Sequence, residues 1–207
     1  MRKPQSMKAL EELGRVRLSE SFFMRDFLHS EISQFYSIPN VPDDPDLAIQ
    51  AGTRLCQDLL EPLRTRFGRI SIRSAYRSKA VNDFGNRNGL NCARNEANYA
   101  GHIWDERDAK GRMGATACII VHALIPYYEA TGGWEALAWW VHDHLPYHDL
   151  EFFPKFAAVN VTWREEPERR IYSYIPPRRG WLTKPSMENS NGRHDAAYAE
   201  WLGGLPS

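Results

Sequence analysis

Four stretches decide how this chain reads: Ser74-Ala75-Tyr76-Arg77-Ser78, Gly101-His102, Gly114-Ala115-Thr116-Ala117-Cys118 and Val159-Asn160-Val161-Thr162-Trp163. The first closes a run from Arg69 to Tyr76 in which Ile70 and Ile72 alternate with polar residues, the period of a strand with one buried face. The third opens Ala115 to Val121, a small-to-β-branched run that suits a buried strand. The fourth, read with His148 to Phe153 before it, makes a hairpin turning at Pro154-Lys155. Between the first and third strands stands a histidine preceded by a glycine, which permits close packing at a strand end.

Outward from these segments, Asn40 to Pro45 is a Pro/Asp turn cluster whose Asp43, Asp44 and Asp46 can cap a following helix. Leu47, Ala51, Leu55, Leu59 and Leu63 give that helix one apolar stripe; Pro62 predicts a kink or break and Gly68 an end. Residues 79–100, rich in Asn, Gly and Arg, lack periodicity and read as a long loop with one helical turn. Trp134 to His144 has helical spacing, with His142 and His144 taken as surface groups or helix-end charges, and Ala196 to Trp201 reads as a short terminal helix. Residues 1–17 read as a flexible arm, 18–175 as the main domain and 176–207 as a Pro-, Gly- and Asn-rich extension.

Composition narrows the function classes. A chain of 207 residues with 43% apolar and 25% charged residues is long enough for a proper core and is neither disordered nor membrane-spanning in character. With 26 basic and 26 acidic residues it lacks the electrostatic footprint of a nucleic-acid protein, although Arg164–Arg170, Arg178 and Arg179 interleave with Tyr172, Tyr174 and Trp181 in a manner that can serve single-stranded nucleic acid. Met1 to Glu20 has no apolar h-region, and Cys56, Cys92 and Cys118 are too few for a disulfide framework, so the expected setting is cytoplasmic with reduced thiols. Serine-hydrolase and P-loop signatures are absent, as are H-E-x-x-H and C-x-x-C.

The order of the four motifs resembles the M15 zinc peptidases, the D-Ala-D-Ala carboxypeptidases and endolysins with a hedgehog-like fold, over Leu18 to Trp163. Their core reads S-G-Y-R-S, then S-x-H-x-x-G-x-A-x-D, then W-x-H, with His, Asp and His as zinc ligands. The resemblance implies an α+β fold: a small, mostly antiparallel sheet with helices packed on one side. It also implies a site built from Arg77, which polarises the scissile carbonyl in the family, and His102, its first ligand.

The departures from the family are as informative as the matches. Cys118 stands where the Asp should be, sixteen positions after His102 instead of seven, and the inserted piece carries Asp105, Glu106 and Asp108. Asn160 stands in place of the last His, and Ala157 where some members carry the general base. If the hairpin turns about Pro154, His148 lies across from Asn160 and could return an imidazole beside His102 and Cys118, which as a thiolate is a good zinc ligand; a buried, inert Cys118 is the simpler reading. The expected catalytic residues are therefore Arg77, His102 and Asp105; Tyr76, Asn160 and His148 are expected to bind substrate; and zinc, if present, would be held by His102, Cys118 and His148. Three functions stand: a divergent hydrolase with a peptide or other amide as substrate, a binding protein that kept the groove and lost the metal, and metal-independent chemistry on nucleic acid.

Overall fold

The computed structural model describes residues 1–205. In chain order its main elements are helices α1 (Met7–Gly14), α2 (Glu31–Tyr36), α3 (Pro45–Leu55) and α4 (Glu61–Phe67), strand β1 (Ile70–Ser74), helices α5 (Lys79–Arg87) and α6 (Asn95–Asn98), and strand β2 (Gly114–Val121). Helices α7 (Ile125–Thr131) and α8 (Glu135–His144), strands β3 (Asp149–Phe152), β4 (Val159–Arg164), β5 (Arg170–Ser173) and β6 (Gly180–Thr183), and helix α9 (Asp195–Gly203) complete it. The six strands form one sheet in the order β1-β2-β4-β3-β5-β6, antiparallel throughout except where β3 meets β5. The fold is α+β, as expected. Among the described residues no helix is long and apolar enough to cross a membrane.

Alternation along the strands gives the sheet two unlike faces. Ala115, Ala117, Ile119 and Val121 of β2, Val159, Val161 and Trp163 of β4, and Leu150 and Phe152 of β3 are all buried in one core with α3 and α4. The other face carries a row set by register: Ser74 opposite Cys118, Cys118 opposite Asn160, Asn160 opposite Glu151, Glu151 opposite Tyr172, and Tyr172 opposite Trp181. Directly paired residues share a face, so this polar-to-aromatic row crosses the whole sheet on one side.

The Leu-striped helix is α3 and α4 joined by a π-type turn at Cys56–Leu60. Pro62, which has no amide to donate, falls in the first turn of α4, where that donor is not needed. At Gly52 the helix meets the ring of Trp104, itself fully buried with its Nε1–H donated to the Thr116 carbonyl at 3.1 Å.

Three expectations are corrected. Residues 79–100 hold α5 and α6, not a loop with one turn. Ser78 caps α5 by accepting the Val81 N–H, and the helix buries Val81, Asn82 and Gly85, so its inner face is polar and small where periodicity looks for large apolar groups. Asn82 is satisfied there by the Ala93 carbonyl at 2.9 Å and Asn95 at 2.8 Å. The segment read as a flexible arm contains α1, whose Leu13 is fully buried. His142 is a buried residue, bonded to the Tyr147 hydroxyl at 2.7 Å and the Ser190 carbonyl at 3.1 Å.

Glycine to alanine inside a helix ordinarily stabilises by about 1 kcal/mol. At Gly52 the added Cβ would lie 2.7 Å from Trp104 Cζ3 and 3.2 Å from Leu18 Cδ1. Gly52→Ala should therefore destabilise, by about 1–3 kcal/mol of overpacking. A thermal melt checks this: an unchanged or raised Tm would show that Trp104 is not wedged against α3.

Candidate functional site

The β1 end of the open face falls away into a cleft of about 390 Å³ lined by Arg73, Tyr76, Arg77, His102, Cys118 and Asn160, among others. The cleft exists because the chain leaving β1 is held tightly. Asn40 donates to the Leu28 and Tyr76 carbonyls, both at 3.0 Å, and accepts the Ser78 N–H at 2.7 Å. The Arg77 N–H donates to the His102 carbonyl at 2.8 Å, so the two motif segments are bonded through their backbones. Gly114 lets the second segment lie close to β2: a Cβ there would stand 2.3 Å from the Ala100 carbonyl oxygen.

His102 is buried, and its Nδ1 lies 2.7 Å from the Ala75 carbonyl oxygen. Burial first, and the Arg77 guanidinium second, push its pKa down to about 3. At neutral pH the imidazole is therefore uncharged, donates Nδ1–H to Ala75 and leaves Nε2 as an acceptor. Arg77 donates from Nη1 to Cys92 Sγ at 2.7 Å, while its buried Nε has no partner among the described residues.

Cys118 and Asn160 face each other across the β2–β4 ladder. Burial raises the Cys118 thiol pKa, against the lowering influence of Arg73 and Arg77, so the group is a thiol, not a thiolate, at neutral pH. Asn160 donates from Nδ2 to Glu151 Oε2 at 2.9 Å. Ala157 is buried.

Two expected residues lie outside the cleft lining. Asp105 is buried and accepts the Asp43 N–H at 2.6 Å, which ties the inserted segment to the turn before α3. Burial raises its pKa, and the neighbouring Tyr76 hydroxyl, itself raised by burial and then by Asp105, stands near it without hydrogen-bond geometry. His148 lies elsewhere. The link between β3 and β4 spans six residues and includes Phe156 and Ala157 at φ of 60° and 46°, so Glu151 rather than His148 opposes Asn160. The shift is odd, which turns His148 to the opposite face. There its Nδ1 accepts the Glu168 N–H at 3.1 Å and its Nε2 lies 3.2 Å from Asp149.

The expected zinc set of His102, Cys118 and His148 is thus not brought together, and among the described residues no three His, Cys, Asp or Glu side chains converge. The motif donors that share the cleft, a buried imidazole, a protonated thiol and a neutral amide beside two arginines, do not fit a dication, and His29 and Glu31, which also line it, complete no group of three with them. Glu151, Asn40 and Cys92 were not expected at the site; only a correct hairpin register would have pointed to Glu151. No family model, curated protein or solved structure matches the chain.

The low pKa of His102 has a stability consequence with a definite sign. Below its ordinary value of 6.5 the unfolded chain takes up a proton that the folded site refuses until about pH 3. This contribution is present above the unfolded pKa and is lost as pH falls through that window, by at most about 1.4 kcal/mol per pH unit. Urea titrations across the window should give His102→Gln a shallower loss of stability than the parent chain. Parallel pH profiles would mean that His102 is not held neutral.

Proposed function

We propose that this chain is a divergent member of the M15 superfamily, of hedgehog/DD-peptidase type, whose cleft binds a peptide or other amide without the family's zinc hydrolysis. The observation that carries this reading is the pairing of Cys118 with Asn160 on adjacent strands, in the cleft that also holds Arg77 and His102. In the family the corresponding motif positions supply Asp and His to one ion, and side chains paired across a ladder share a face, as two ligands of one metal must. His102, with Nδ1 engaged by a backbone carbonyl and Nε2 left over, has the orientation usual for a ligating imidazole. The scaffold for a metal is thus retained while two of three donors are changed.

Hydrolysis of an amide needs a polarised carbonyl, an activated water and a group to take its proton. The protonated Cys118, the alanine at 157 and the weakly basic His102 supply none of the last two well. What remains suits recognition: Nε2 of His102 is an acceptor for the N–H of a peptide group, and the Arg73 and Arg77 guanidinium groups that line the cleft face its carbonyl with positive charge. A second reading, an M15-like hydrolase with an altered active site, rests on that same Nε2, which is unprotonated at neutral pH.

The decisive experiment rebuilds the site. The parent chain should release no D-Ala from an acyl-D-Ala-D-Ala peptide, with or without added zinc. The double variant Cys118→Asp, Asn160→His should take up stoichiometric zinc, and a further His102→Ala should abolish that uptake. A double variant that folds but takes up no zinc would sink the family geometry. Zinc-dependent release of D-Ala by the parent chain, lost in His102→Ala, would return it to the ordinary peptidases.

A further inference from the structure

Beyond Asn160 the open-face row continues through Glu151 to Tyr172 and Trp181, and there its character changes from polar to aromatic. Trp181 is 47% exposed and Tyr174 36% exposed, unusual values for rings of this size. They are nevertheless held in place. Tyr174 stacks on Phe153 at 5.2 Å with the planes 6° apart, and Tyr172 meets Tyr174 and Trp181 edge-on at 4.9 and 5.1 Å. Between these rings and β3 lies a hollow of about 250 Å³ whose polar groups are Asp149, Glu151 and Arg170. Phe153 also lines the cleft, so the two features adjoin.

We propose that this aromatic end of the sheet, Tyr172, Tyr174 and Trp181 above Asp149, Glu151 and Arg170, is a platform for an extended, uncharged glycan strand. A sugar ring offers an apolar C–H face to an aromatic side chain and hydroxyls around its rim to carboxylates and guanidinium forks. Both halves of that recognition are present, on side chains already ordered by their neighbours, which lowers the entropic cost of binding. The charge argues for a neutral ligand. Arg170 is taken up by a two-pronged bond to Asp149 at 2.6 and 2.7 Å, and the two carboxylates of the hollow oppose the phosphates of a nucleic acid. Arg179 over Tyr174 and Lys184 over Trp181, at 5.5 and 5.6 Å, flank the rings but do not form a continuous cationic track. From β3 to β6 the surface spans two strand spacings, roughly 10 Å, which is longer than one sugar unit. This inference stands apart from the reading of the cleft, because none of these residues is among its motif positions.

Calorimetric titration of the full chain with a panel of neutral β-linked hexasaccharides, built of glucose, N-acetylglucosamine, xylose or mannose, tests it. At least one should bind with a submillimolar Kd. Trp181→Ala should weaken that binding roughly tenfold, the upper end of what one aromatic face contributes, and Trp181→Phe less. Arg77→Ala, in the cleft, should leave it unchanged. Trp181 is exposed, so the variant is expected to melt with the parent chain; if it does not, Trp181→Phe and Lys184→Ala replace it in the comparison. The proposal is overturned if no sugar binds at millimolar concentration, if binding ignores Trp181, if oligothymidylate binds there instead with a steep salt dependence, or if sedimentation shows Trp181 buried between two copies of the chain.

Discussion

Everything in this molecule is hung on the ladder between β2 and β4, six consecutive pairs in unbroken register from Gly114 opposite Arg164 to Ile119 opposite Val159. One set of its side chains, Ala115, Ala117, Ile119, Val159, Val161 and Trp163, forms the floor of the core. The other set carries Cys118 and Asn160 to the cleft and joins Thr116 to Thr162 through their hydroxyls at 2.8 Å. A slip of one residue would exchange the two sets, putting an amide and a thiol into the core and valines into the cleft. The burial of the apolar set is therefore what fixes the geometry of the polar one. Small residues on β2 matter for the same reason: they let Trp104 and α3 sit close on one side and the His102 segment on the other.

The cleft is assembled from segments that are distant in sequence and joined by backbone hydrogen bonds. Asn40, just before the turn into α3, holds residues 76–78, and Arg77 holds His102 in turn. Asp105 belongs to this scaffolding. Buried with the Asp43 amide on one oxygen, it fixes the insertion after His102 to the start of α3, so its carboxylate is structural where the sequence suggested chemistry. A buried carboxylate with a raised pKa is a common mark of an active site, and here it marks an anchor instead.

How much of this was legible depended on what kind of residue does the burying. Strands Ala115–Val121 and Ala157–Trp163, the helix before His144 and the terminal helix could be read because large or β-branched groups mark their inner faces. Helix α5 could not, because its buried face holds Asn82, satisfied by Ala93 and Asn95 rather than by apolar contact, and Gly85, which makes room for Cys92 and Ile32. The hairpin register was missed because Phe156 and Ala157 adopt left-handed backbone without a glycine to announce it. That one local surprise moved His148 off the site and put Glu151 beside Asn160. Five of the cleft-lining residues follow the motif order: Tyr76 and Arg77 just beyond β1, Cys118 and Asn160 within the central ladder, and His102 in the turn that the Arg77 amide holds; His29, Glu31 and Arg73 carry no such signal.

The substitutions in the cleft follow an electrostatic logic on the reading proposed above. A carboxylate at the position of Cys118 is tolerable at the centre of a sheet when a metal ion neutralises it, and costs several kcal/mol when it stands desolvated and without that partner. A chain that gives up the metal is better served by uncharged groups, and the two positions that changed hold a thiol kept protonated by burial and an amide satisfied by Glu151. His102 needs no replacement, because an imidazole can remain buried by staying neutral, as its depressed pKa requires. Arg77 cannot shed its charge; it turns its Nη1 to the polarisable sulfur of Cys92 and leaves Nε without a partner among the described residues. That Nε is buried, so the cost of leaving it unpaired, about 1–3 kcal/mol, falls on the fold, while recognition of a ligand falls to the groups that reach the cleft surface, His102 Nε2 first among them.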